Sequence, residues 1–400
     1  MTAPGARSAA LLLAACTGGA AAPDAPVIPA FSVGDVIPVV PGPGFAHPTQ
    51  PAHNNLDVVE HDGAVFLALR TAPTHFASAD TRLVIARSDD GEGTWSVEAE
   101  VHLGTDLREP RLLSWQGRLF LYFAVLGDNP ADFEPQGSRV MVRAADGTWS
   151  APEDIFDRDF VPWRVRVVGG RPTLTGYTGG GTIYDADTGG DAEPDLEIQW
   201  LESDDGLDWR PVVPGQPTIL RGGGSETDLA VLPDGGAVAV VRNEDGDADG
   251  WGSKICRADA GALGAWRCAA DPRKFDSPLV FQSGGRVWLI GRRTLGNEGA
   301  YDLGLRSLSH QEQTLRYQIE YWNDPKRCSL WEVHPDALRV DFVGDLPSAG
   351  DTCFASALPR EDGSFMVYNY TSPLDGRDPS WLDGQLGPTH IVRHRVTLPR

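Results

Sequence analysis

Short apolar runs recur along the chain, and each is entered through a turn glycine: Gly63 before VFLALR, Gly117 before LFLYFA, Gly170 before PTLTGY, Gly235 before AVAVVR, Gly285 before VWLIGR and Gly363 before FMVYNY. A second strand-like run stands ahead of each turn, as in LDVVEHDG, PRLLSWQG, DLAVLPDG and SPLVFQSG, so each unit opens with a tight antiparallel hairpin. The turn glycines are separated by 54, 53, 65, 50 and 78 residues. Units near 50 residues that hold several short strands are the pattern of propeller blades, which bury their faces only against each other. The prediction is all-β: one six-bladed β-propeller of four-stranded antiparallel blades over residues 31–400. The last unit is short of strands after Thr389–Val396, and the N-terminal stretch from Phe31 to Val40 can complete it.

Composition agrees with this picture. Gly 46 and Pro 31 in 400 residues make a turn-rich chain, and 41% hydrophobic residues supply a core. The net charge of −22 would repel a phosphate backbone, which excludes nucleic acid as the expected partner.

Arg7 precedes the apolar run Ala9–Ala15, which is far short of the roughly 20 residues that span a bilayer. The run ends in Leu13-Ala14-Ala15-Cys16, which resembles a bacterial lipobox. That resemblance implies a signal peptide over 1–15, acylation of Cys16, a flexible tether over 16–30 and a location in the cell envelope, anchored to a membrane by lipid alone. Four cysteines remain, and in an exported chain they are expected as disulfides, with Cys256 paired to Cys268 across a hairpin and Cys328 to Cys353. No Cys/His cluster has zinc spacing, so neither a metal nor another cofactor is expected.

Between the hairpins lie Ser88-Asp89-Asp90-Gly91-Glu92-Gly93-Thr94-Trp95 and Ser203-Asp204-Asp205-Gly206-Leu207-Asp208-Trp209, with a weaker echo at Asp146-Gly147-Thr148-Trp149. These resemble the Asp-box repeat of the sialidase superfamily, in which the aspartate holds a turn and the tryptophan packs beneath it. The resemblance extends to SETDLAVLPDGGAVAVVR. Here Glu226 stands where those enzymes carry the glutamate that polarises their nucleophile, and Arg242 where they carry the second arginine of a carboxylate-binding triad. It implies Asp80 as acid/base and Arg292 or Arg293 as the third arginine. Two positions depart from the pattern. His53-Asn54-Asn55-Leu56-Asp57 stands where the first arginine is expected, and Phe354 stands where the tyrosine nucleophile is expected, with Tyr370 across the same hairpin.

Placing the six hairpins in one register puts Arg70, Ala124, Tyr177, Arg242, Arg292 and Tyr370 at the seventh position after each turn glycine. In an antiparallel hairpin this strand end lies beside the start of the partner, where the chain offers Asp57, Glu109, Arg111, Arg164, Glu226, Asp228, Asp276 and Asp351. Both sets are expected at one mouth of the propeller channel. Arg70, Arg242 and Arg292 are candidates to hold a carboxylate, with Arg108, Asp57, Arg164 and Tyr177 beside them. Glu226, Asp80, Tyr370 and His75 are candidates for proton transfer or nucleophilic attack, with His53 a second histidine near the same rim. Trp163, Trp251 and Trp381 can stack on sugar faces or pack in the core. Two functions follow: a hydrolase or lyase acting on an acidic, sialic or uronic, sugar; or a propeller lipoprotein that binds a glycan or a protein without catalysis. The fold alone does not choose between them.

Overall fold

The computed structural model describes residues 31–130, 132–182 and 194–399; the signal segment expected over 1–15, Cys16 and the tether expected over 16–30 lie outside the described residues. Six antiparallel sheets stand in chain order as the blades of a propeller. Their inner hairpins are Ala52–His61 with Ala64–Ala72, Leu107–Trp115 with Arg118–Leu126, Val161–Val168 with Arg171–Thr178, Thr227–Val231 with Ala237–Asp247, Leu279–Ser283 with Arg286–Thr294, and Ser356–Pro359 with Phe365–Thr371. The turn glycines take left-handed backbone, with φ of 77° at Gly63 and 81° at Gly363, which explains glycine at those tight turns.

The ring closes as the sequence implies. Ser32–Val33 and Ile37–Val40 both pair with His390–Thr397, so the N-terminal strands complete blade six and tie the chain ends together. The second strands read as unbroken apolar runs because both of their faces are covered. In blade one, Leu67 and Leu69 pack towards Tyr368 and Tyr370 of blade six, while Phe66 and Ala68 pack towards Leu119, Leu121 and Phe123 of blade two. A strand with one wet face would have alternated.

The aspartate-glycine repeats are turn locks. Asp90 accepts from the amides of Gly93 at 3.0 Å and Thr94 at 2.9 Å, and Asp205 accepts from those of Leu207 at 2.8 Å and Asp208 at 2.7 Å. Trp95 is buried edge-on to Tyr368, and half-buried Trp209 packs edge-on to Tyr122. Both disulfides form as expected, Cys256 with Cys268 on adjacent strands and Cys328 with Cys353 between blades five and six.

Among the described residues two α-helices interrupt the strand pattern, and the spacing of the turn glycines does not predict them. Helix α1, His310–Asn323, and the short helix α2, Trp381–Leu386, sit in loops between the second and third strands of blades five and six. The first accounts for the long spacing between the last two turn glycines. Its signal is local: Ser309 and Glu312 form a reciprocal capping box, with the Ser309 amide 2.9 Å from Glu312 Oε2. Among the described residues no helix is long and apolar enough to cross a membrane.

Candidate functional site

The second strand of each inner hairpin ends where the first begins, and the loops after the second strands open on that same face. The mouth is therefore built from six strand ends and their loops. Four of the six blades distort their inner strand at this point. Asn55 (φ 41°) in blade one, Glu109 (φ 53°) in blade two, Ser277 (φ 53°) just before the inner strand of blade five and Cys353 (φ 79°) just before that of blade six all take left-handed backbone. For residues other than glycine this costs of order 1–3 kcal/mol each and persists only where surrounding contacts over-determine it. In blades one and two the distortion is a bulge, which interrupts the strand register between Asn54 and Leu56 and between Arg108 and Arg111.

One hydrogen-bonded chain crosses blades five, six and one. His75 Nδ1 lies 2.5 Å from Asp351 Oδ2, and Tyr370 Oη donates to Asp351 Oδ1 at 2.8 Å. Arg292 donates to Tyr370 Oη at 3.1 Å, to Asp276 Oδ2 at 3.1 Å and to the Thr352 carbonyl at 2.5 Å. Asp276 also accepts from Tyr321 Oη of helix α1, so the insertion delivers a second tyrosine to the mouth. Burial pushes the His75 imidazole below its usual value despite Asp351 beside it, and the neutral ring donates from Nδ1. Burial likewise drives the Tyr370 and Tyr321 hydroxyls well above the usual phenol range, reinforced by Asp351 and Asp276 respectively.

Blade four adds the glutamate and arginine that the sialidase-like segment implied. Arg242 lies 2.9 Å from Glu226, 3.1 Å from Glu244 and 3.7 Å from Asp276, and its Nε donates to Ser225. Glu226 accepts from the left-handed Ser277 amide at 2.7 Å. Desolvation raises its carboxyl, with Asp276 adding to the effect and Arg242 opposing it. Glu244 would also be raised by burial, but Arg242 and the ion-paired Lys274 outweigh this and hold it down. Tyr177 is buried, and the charges of Arg242, Glu226, Glu109 and Glu244 act on its hydroxyl.

The other sequence candidates are placed differently. Arg70 is fully buried and sealed in blade one, where it bonds Asp106 through Nε at 3.1 Å and Nη2 at 2.7 Å, Asn54 at 3.0 Å and the Phe76 carbonyl at 3.0 Å. Arg108 covers the same aspartate, 2.5 Å from Asp106 Oδ2, and also bonds the His75 carbonyl. Asp57 joins three blades by accepting from the Leu112 amide at 2.9 Å and Ser356 Oγ at 2.6 Å. Arg164 reaches across to the carbonyls of Pro278 and Ser277, and burial lowers it to about 9. Asp80 is exposed in a shallow groove with Gln50, Arg82 and Glu100, outside the mouth network. His53 is buried between Thr389 and Thr49. Arg293 pairs outward with Asp345, so Arg292 is the mouth arginine. Trp163 and Trp251 are core residues, while half-buried Trp381 stands 5.4 Å from both Arg292 and the Tyr321 ring.

At the two departures from the sialidase pattern, Asn54 accepts from Arg70, and Phe354 is buried with its ring 4.3 Å from the Arg111 guanidinium. Tyr370, from the neighbouring strand, reaches Arg292 instead. Tyr321, Lys274 and Glu244 were missed by register reasoning because they lie off the seventh-position row. Only Tyr321 had a readable signal, the capping box ahead of its helix. Among the described residues no three His, Cys, Asp or Glu side chains converge as a metal-ligand set.

No family model matches the chain, and no curated protein matches it in sequence. Solved structures do match in shape. A protein of unknown function from Dyadobacter fermentans superposes with a TM-score of 0.61 at 14% identity, over 93% of this chain and 100% of that one. The sialidase of Trypanosoma rangeli superposes with a TM-score of 0.55 at 14% identity, over 86% of this chain and 55% of the longer enzyme. Its complex with sialic acid gives 0.55 over 94% of this chain and 59% of that one. At this identity the likeness concerns the fold alone, a six-bladed propeller.

Proposed function

We propose that the mouth is the active site of an exported glycoside hydrolase acting on an acidic sugar. The observation that carries the reading is the convergence of Arg242 and Arg292 on Asp276, with Tyr370, Asp351 and His75 joined to Arg292 in one chain. Arg242 and Arg292 are the groups to hold the sugar carboxylate, because a guanidinium fork matches a carboxylate in plane and charge. Tyr370 is the nucleophile. Its hydroxyl proton passes to Asp351, whose other oxygen is bound by neutral His75, and Arg292 stabilises the phenolate as it forms. A tyrosine suits an anionic sugar, since a carboxylate nucleophile would be repelled by the substrate's own charge. Glu226 lies beside Arg242 on the same rim, and Trp381 offers an aromatic face to the ring.

Two disulfides and the lipobox support export with a lipid anchor at Cys16. The anchor would hold the propeller at a membrane surface through a tether beginning at residue 16.

The test is a screen of the tetherless protein against sialosides, uronic-acid glycosides and acidic polysaccharides, with the products identified. Release of the intact acidic sugar is the expected outcome. An unsaturated uronate would replace hydrolysis by elimination, and saturable binding without any product would support the non-catalytic reading.

A further inference from the structure

Glu109 is the least satisfied acid of the mouth. The left-handed bulge in the inner strand of blade two turns it inward, and it is buried. Oε1 accepts from the Asn55 amide at 3.1 Å, which is presented by the matching bulge of blade one. Oε2 is buried with no hydrogen-bond partner, and the nearest cation, Arg111, stands off at 3.6 Å. Arg111 is itself buried without a hydrogen bond, lying over the rings of Phe354 at 4.3 Å and Trp163 at 4.9 Å. Two strained neighbouring blades thus hold a buried carboxyl by one neutral donor and leave its second oxygen without a hydrogen bond, which no packing requirement explains.

We propose that Glu109 is the proton donor of this site and that Asn55 positions it. The proposal rests on the reading of the mouth as a glycoside-cleaving site. Desolvation pushes the Glu109 carboxyl up to about 7, with Glu226 adding to the rise and Arg111, Arg108 and Arg242 opposing it. Arg70 and Tyr177 are the other ionisable groups that sense its charge. An acid poised there is charged or neutral according to small changes near neutrality, as proton transfer requires. Glu109 Oε2–H gives its proton to the glycosidic oxygen as the bond from that oxygen to the anomeric carbon breaks. The bonding pair stays on oxygen, and the aglycone leaves as an alcohol. The anomeric carbon bonds to Tyr370 Oη, whose proton passes to Asp351. In the second half a water oxygen replaces Tyr370 at that carbon and gives one proton to the Glu109 carboxylate, while Asp351 returns its proton to Tyr370. The sum is one glycoside and one water converted to one free sugar and one alcohol.

The experiment compares para-nitrophenyl and methyl ketosides of N-acetylneuraminic acid, with the matching glucuronides in parallel, on the native protein and on Glu109→Gln. Native turnover of the methyl substrate should fall on the basic side through about pH 7. In Glu109→Gln that limb should vanish and the methyl substrate should slow by about a hundredfold or more, the usual size of general acid catalysis. The para-nitrophenyl substrate, whose leaving group needs little help, should slow far less, and the melting temperature should hold. Asn55→Ala should move the basic limb upward without removing it, since one hydrogen bond to the carboxylate form is lost. If Glu109→Gln does not fold, Glu109→Asp should show the same leaving-group dependence. A basic limb retained in Glu109→Gln, or equal losses on both substrates, overturns this assignment and leaves the hydrolase reading standing. No native turnover of any substrate overturns both.

Discussion

Arg70 and Arg242 occupy the same register position in blades one and four, at the seventh residue after the turn glycine, yet they do different work. Arg70 spends its donors on Asp106, Asn54, Thr81 and two carbonyls, and it is completely enclosed. Arg242 faces Glu226, Glu244 and Asp276 and is not fully enclosed, with 12% of its side chain exposed. The difference comes from what the neighbouring blade supplies. Asp106, at the entry to blade two, closes over Arg70 with Arg108 on top, whereas the acids around Arg242 belong to its own blade and to the rim of blade five. Register determines where an arginine points, and the facing blade determines whether a ligand can reach it.

Breaking the sealed pair is expected to have the largest effect. Arg70→Met leaves Asp106 buried with Arg108 as its one remaining counter-charge among the described contacts, and removing one partner of a buried pair costs about 3–5 kcal/mol. Chemical denaturation should show that loss in the midpoint, with little change in ligand affinity if the protein is measured well below its transition. A small stability change with lost binding would mean that Arg70 belongs to the site after all.

Acid should weaken the closed parts of the fold next. Burial lowers both His53 and His394 to about 4, and neither ring nitrogen of His394 has a hydrogen-bond partner. Both are neutral in the folded chain, whereas the unfolded chain binds protons near pH 6.5, so the unfolded state takes up more protons between those values. Their contribution is complete above about pH 6.5 and is lost as pH falls towards 4, at roughly 3 kcal/mol per histidine. Urea unfolding from pH 7 down to 4.5 should show the fall, and His394→Leu should flatten its share of it. A slope that His394→Leu leaves unchanged would assign the acid sensitivity elsewhere.

A smaller effect is expected at the open arginine. Arg242→Lys keeps a cation among Glu226, Glu244 and Asp276 but removes the fork, and a charge-assisted contact contributes about 1.5–3 kcal/mol. An acidic ligand should bind roughly ten- to a hundredfold more weakly, with the melting temperature nearly held. Calorimetry with sialic and glucuronic acids separates the two quantities. A large drop in melting temperature with unchanged affinity would make Arg242 a second Arg70.

Much of the architecture is local and was therefore readable. A turn glycine followed by an apolar run reports a hairpin whose strands are covered on both faces, because covered strands need no alternation. The Asp-box aspartates lock turns with amides two to four residues away, so Ser88–Trp95 and Ser203–Trp209 announce their own geometry. Cys256 and Cys268 stand opposite each other on adjacent strands, which the hairpin register brings together, and Cys328 and Cys353 are the pair that remains. The strand that closes the ring was legible for the same reason, since blade six lacks a partner that Phe31–Val40 can supply.

The chemistry of the mouth is non-local. Glu109 stands among seven other charged residues in the strand-start row, and nothing in its neighbours along the chain separates it from Asp57, which ends as a tie between three blades. What separates them is desolvation and hydrogen bonding by residues 50 or more positions away: Asn55 on one oxygen, nothing on the other. Tyr321 reaches Asp276 only because helix α1, inserted in blade five, folds back against Trp251 of blade four. The order of glycines, strands and turn aspartates determined the propeller, because those preferences act within a few residues. Which charges are sealed, which are shared and which stay open was decided by the packing of blades against one another, because the cost of burying a charge depends on every group that replaces its water.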